Sequence, residues 1–162
     1  MRRIRLGTLA AAVGLLAAVV PLAAAAEIST DEEYVERAEP ICKRNVEANK
    51  RIFKGAKREV KKGELKKASR HFFRASRAFG RTIRQLAQVP QPPASAAKLG
   101  RWLTALRTEK TIIEKIGRAL AKGQKHRAES LSLELRRNAN RANNIVLGFG
   151  FDYCLVDSSR FG

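Results

Sequence analysis

Lys67, Arg70, Arg74, Arg77, Arg81 and Arg84 advance by three and four residues, and no acidic residue stands between the first and the last. At about 100° per residue this spacing gathers all six on one helical face, roughly 25 Å long. No carboxylate within the run can neutralise a neighbour one turn away. Guanidinium forks grip phosphate and carboxylate oxygens in pairs, so a row of them suits an anionic cell-wall polymer or an anionic lipid surface. The competing reading is a solvated face, or one neutralised by acids from another helix. Residues 51–84 hold thirteen basic and two acidic positions, which makes this whole stretch strongly positive. Sequence-specific nucleic-acid reading is not expected: there is no zinc-finger, basic-zipper or RNP-like segment, and the aromatics fall on inner stripes, not between the arginines.

A second constellation is internal. Asn45 and Asn49 fall at the centre of an apolar stripe on the first helix, and Glu109 takes an a/d-type position in the third. Counted from the turns at Gly63 and Gly123, Asn49 and Glu109 stand at one height, with Asn138 of the fourth helix nearby. Such a polar layer is either a small-ligand pocket or a hydrogen-bonded register device, as a core asparagine is in coiled coils. An unpaired buried carboxylate is costly, so Glu109 is expected to be buried and bonded to at least one asparagine. One carboxylate with no Glu-x-x-His companion does not make a bundle metal site. There is also no CxxCH, no methionine beyond Met1, no GxSxG and no phosphate-binding loop, so neither a cofactor nor catalysis is expected. His71 and His126 read as ordinary surface residues.

Export governs the two cysteines. Arg2, Arg3 and Arg5 precede an uncharged, mostly apolar stretch from Leu6 to Leu22, and Ala24-Ala25-Ala26 supplies small residues after Pro21. This is the pattern of a signal peptide over residues 1–26, cleaved before Glu27, with an uncleaved membrane anchor as the alternative. The expected location is secreted or on the exterior of the cell envelope. The remaining domain, residues 27–162, carries 30 basic and 15 acidic residues, a net +15 that attracts polyanions. Outside the cytosol, Cys42 and Cys154 are expected to form a disulfide, because they lack the CxxC spacing of a reactive or metal-binding pair.

The elements that position these residues are all helical. Thr30-Asp31-Glu32-Glu33 forms a capping box, and apolar residues recur through Ile52, Ala56 and Val60 before Lys61-Lys62-Gly63 closes the segment. Pro40 lies inside that pattern and is expected to kink or restart the helix. Leu65, Ala68, Phe72, Ala75, Phe79, Ile83 and Leu86 make the second stripe, which stops at Val89-Pro90-Gln91-Pro92-Pro93. Ser95 is expected to cap a third helix carrying Leu99, Trp102, Leu106, Ile113, Ile116 and Leu120, and a fourth runs from Ala128 towards Phe149. Short links favour an up-down-up-down four-helix bundle, in which the start of the first helix lies beside the end of the fourth. That topology brings Cys42 and Cys154 together independently of the export argument.

The early Cys42, the stretch Asn140-Arg141-Ala142-Asn143-Asn144-Ile145-Val146 and the ending Phe149-Gly150-Phe151-Asp152-Tyr153-Cys154 resemble exported helical proteins of actinobacteria. That family has no established activity. The resemblance implies secretion, a helical bundle and a disulfide, and it carries over no catalytic residue.

Overall fold

Thr30 opens the first helix, α1 (Asp31–Ile52), through a reciprocal cap. Its Oγ1 accepts the Glu33 backbone N–H at 3.2 Å, and the Glu33 carboxylate accepts the N–H groups of Ser29 at 2.8 Å and Thr30 at 3.3 Å. These bonds hold the Glu33 carboxyl below its usual range. The structure, a computed structural model, describes residues 29–156, and the expected signal segment lies outside the described residues.

The interruption of the first helix is not where proline suggested. α1 continues through Pro40 without restarting, because proline deletes one ladder bond while Ala38 and Cys42 on either side remain buried in the core. The break comes at Phe53-Lys54-Gly55, where Gly55 adopts a φ of 89° and starts a short helix, α2 (Ala56–Lys61). His71 stabilises this corner. Its Nδ1 contacts the Ile52 carbonyl at the end of α1, and its Nε2 lies 3.0 Å from the Glu59 carboxylate of α2. His71 is therefore not the surface residue expected from sequence; it ties two elements to a third.

The other three long helices are α3 (Leu65–Leu86), α4 (Ala96–Ala121) and α5 (Lys125–Ile145). With α1 they form an up-down-up-down four-helix bundle, in which α1 packs on α3, α3 on α4 and α4 on α5. Ser95 takes the N-cap position of α4, but its side chain makes no capping bond. The core is continuous through Leu86, Leu99, Trp102, Leu106, Ile116 and Leu135. At Gly117 a Cβ would meet Phe73 Cε1 at 3.1 Å and Phe72 Cβ at 3.3 Å, so the absence of a side chain is what lets α4 approach α3 there.

The bundle is closed at one end by the tail after α5. Gly148 and Gly150, with φ of 113° and 81°, turn the chain back so that Phe149 and Phe151 enter the core. Phe151 stacks on Trp102 at 5.4 Å between ring centroids and meets Tyr34 edge-on at 6.3 Å. Cys42 and Cys154 are disulfide-bonded, their Cα atoms 5.0 Å apart across 112 residues of sequence. Closing a loop of that size constrains the unfolded chain by about 4–5 kcal/mol in the entropy model.

Two further clamps hold the tail. The Glu39 carboxylate accepts the backbone N–H groups of Asp152, Tyr153 and Cys154 at 2.9–3.1 Å. Asn143 pairs with both the N–H and the C=O of Val156, each at 2.9 Å. Charge-assisted bonds of this kind contribute more than neutral ones. Replacing Glu39 by Gln is expected to lower the unfolding free energy by about 2 kcal/mol in urea titrations. Unchanged stability would mean that the disulfide alone docks the tail.

Candidate functional site

The α1 and α5 helices do not pack face to face. Each leans on its own neighbour, α1 on α3 and α5 on α4, and the seam between them is a cleft of about 910 Å³. Cys42, Asn45, Val46 and Asn49 of α1 and Ala56 and Val60 of α2 form one wall. Ser132, Leu133, Leu135 and Arg136 of α5 form the other, and Tyr153 to Val156 of the tail close one end. The floor comes from α3 and α4, with Phe72, Phe79, Leu86, Trp102, Leu106, Glu109 and Ile113. That volume falls in the range of ligand-binding cavities.

The polar layer expected from sequence meets this cleft. Glu109 is only 2% exposed, and burial pushes its carboxyl up to about 8, against the lowering effect of a hydrogen bond from the Asn138 side chain. It is therefore largely protonated at neutral pH and offers a hydrogen bond where an ionised carboxylate would only accept one. Glu109 Oε2, Asn45 Oδ1, Asn49 Oδ1 and Trp102 Nε1 are all buried without a hydrogen-bond partner, and all four residues line the cleft. Buried polar atoms are normally satisfied, so four unsatisfied ones around one space are an unusual concentration.

Asn138 is placed differently from the other three layer residues. It is buried behind the cleft, where its Nδ2 donates to the Ala105 carbonyl at 2.9 Å and so ties α5 to α4. Asn138 thus makes a helix-to-helix contact and also bonds to Glu109, as expected from sequence, whereas Asn45, Asn49 and Glu109 are among the residues lining the cleft. Sequence reasoning missed Trp102 as a polar participant, since its spacing assigns it to the apolar stripe. Phe151 of the tail stacks on its ring, and its indole N–H is buried without a partner.

The basic face of α3 exposes all six of its cations, but they are not equivalent. Lys67 is drawn to Glu64 at 3.3 Å and to Glu59 of α2 at 3.6 Å, and Arg74 reaches the Ile52 carbonyl at 3.4 Å. The acids from outside the run, one of the alternatives left open by sequence, neutralise the α2 end. Arg70, Arg77, Arg81 and Arg84 form no ion pair among the described residues, which leaves a shorter row of free guanidinium groups. Among the described residues no group of three or more His, Cys, Asp or Glu could hold a metal ion, and no helix is long and apolar enough to cross a membrane.

Comparison of the chain with protein-family models, with curated proteins and with solved structures found no match. The site therefore has to be read from its own geometry.

Glu109 makes a pH signature. Its folded value of about 8 exceeds the ordinary 4.5, so between those values the unfolded chain has released a proton that the folded chain keeps. Stability from this group is full below about pH 4.5 and falls as pH rises towards 8, by up to about 1.4 kcal/mol per pH unit. Urea titrations at pH 5 to 8 should show that fall in the native protein and lose most of it in Glu109→Gln. An identical slope in both proteins would mean that Glu109 is ionised in the fold.

Proposed function

We propose that the protein is a non-enzymatic, extracytoplasmic binding protein that carries a small, mainly apolar molecule with at least one hydrogen-bonding group in the α1–α5 cleft. The observation that carries this reading is an apolar space of about 910 Å³ lined by four residues, Asn45, Asn49, Trp102 and Glu109, each of which holds a buried polar atom without a partner. A register device would satisfy all its members internally, as Asn138 does with Ala105, whereas Asn45 Oδ1, Asn49 Oδ1 and Trp102 Nε1 have no partner within the chain. The cysteine bridge supports an oxidising compartment, in line with the export pattern at the start of the chain.

A neutral apolar dye tests the cleft directly. N-phenyl-1-naphthylamine is expected to bind saturably, with one dye per protein. Asn49→Phe places a ring in the space and removes an unpartnered carbonyl, so dye affinity should drop at least about tenfold while thermal stability holds or rises. Full dye binding by a folded Asn49→Phe protein would sink the reading.

The basic face of α3 supports a second role, contact with an anionic cell-wall polymer or lipid surface through Arg70, Arg77, Arg81 and Arg84. Their exposure in one row without ion pairs favours it. With duplex DNA as a generic polyanion, log affinity should fall against log salt with a slope near −0.9 per contact, and Arg77→Gln/Arg81→Gln should reduce the slope by about two. Arg127 and Arg137 are exposed on α5, which packs on α4 and not on α3. The same loss from Arg127→Gln/Arg137→Gln would reveal diffuse attraction by net charge.

A further inference from the structure

The rim of the cleft differs in chemistry from its floor. Lys50 of α1, Lys57 and Lys61 of α2 and Arg136 of α5 all line it and are all exposed. None of the four forms an ion pair among the described residues. Two acids also reach the rim, but Glu129 is engaged by its own helix, with His126 at 3.2 Å and Lys125 at 4.0 Å. Asp152 lies at the tail end, in the segment clamped by Glu39. The uncommitted charge along α1, α2 and the middle of α5 is therefore positive.

The mouth is also apolar. Only three large hydrophobic residues among those described are exposed, and two of them, Leu133 at 47% and Tyr153 at 41%, line this cleft. Hydrocarbon passing between solvent and the floor would cover both. The lining thus runs from free cations at the rim, past Asn45 and Asn49 in the α1 wall, to Phe79, Leu86, Leu106 and Ile113 at the floor.

We infer that the cleft's ligand is an anionic amphiphile, with its acidic head group held by Lys50, Lys57, Lys61 and Arg136 and its hydrocarbon lying on the floor. This rests on the cleft being a binding site. After a small rotation of the lining side chains, an amide or hydroxyl linkage below the head group would donate to Asn45 Oδ1 or Asn49 Oδ1, and its oxygen would accept from Trp102 Nε1 or the protonated Glu109 carboxyl; bare hydrocarbon would leave them unsatisfied. A cationic amphiphile meets repulsion at the rim, and a small free anion gains nothing from the floor.

Trp102 is the only tryptophan of the chain and lines the cleft, so its emission reports occupancy. Three probes share one chain length: dodecyl phosphate, dodecyl maltoside and dodecyltrimethylammonium, each used below its micellar concentration, with inorganic phosphate as the head group alone. Dodecyl phosphate is expected to change the emission saturably and to bind about tenfold tighter than the other two, while inorganic phosphate has no effect. Lys57→Gln/Lys61→Gln should bring dodecyl phosphate down towards the maltoside affinity without altering the latter, and Lys57→Arg/Lys61→Arg should retain it.

Equal affinity for phosphate and maltoside probes overturns the anionic assignment and leaves the binding cleft standing. No response to any of the three overturns both. If Arg77→Gln/Arg81→Gln weakens dodecyl phosphate as much as the α2 double variant does, the head group is held on α3 and the rim assignment falls.

Discussion

The tail clamp is the constraint on which the architecture depends. Cys42–Cys154 fastens α1 to the chain beyond α5, while the Glu39 carboxylate collects three backbone N–H groups of the same tail and Asn143 holds its end. These links secure α1 and α5 to each other at one end without requiring the two helices to share an apolar interface. In an ordinary bundle the first and last helices must bury a seam together. Here the covalent link replaces part of that requirement, and the seam can stay open.

An open seam changes what the polar residues of the core mean. Burial raises the carboxyl of Glu109 and keeps it neutral, which lowers the cost of leaving it inside; the Asn138 side chain bonds to it, while Oε2 stays without a partner. Asn138 solves the same problem by bonding to a backbone carbonyl of the neighbouring helix. The two residues differ in that Asn138 bonds across to a backbone carbonyl, whereas Glu109 keeps one buried oxygen without a partner. It also explains why α1, with Asn45 and Asn49 in its stripe, packs less completely than α4, whose stripe is almost wholly apolar.

Charge is divided between two faces with different surroundings. On α3 the arginines stand over a helix whose other side is core, so they present an extended row with no concavity behind it. At the cleft, lysines from α1 and α2 and an arginine from α5 surround an apolar space. The first arrangement fits repeated charges on a polymer or surface, and the second fits one charge attached to hydrocarbon. Net charge alone would treat them as equivalent; their backing distinguishes them.

The sequence by itself determined the helices, their order and the cysteine partner. Apolar spacing of three and four, the Thr30–Glu33 cap, the Pro90–Pro93 connection and the glycine turns are local signals, and local backbone energetics decides them. Exposure of the α3 cations and burial of Glu109 were legible for the same reason, since helical periodicity fixes which face a residue occupies. Only the tertiary structure decided that α1 breaks at Gly55 instead of Pro40, that His71 and Glu59 hold that corner, and that Lys67 is neutralised from α2. It alone showed that Asn138 bonds to α4 and that Trp102 Nε1 is buried without a partner. Periodicity specifies the face of each helix, but the distance between two non-sequential helices depends on side chains, a disulfide and a tail far apart in the chain. Whether a polar stripe meets a partner or a space is set by that distance.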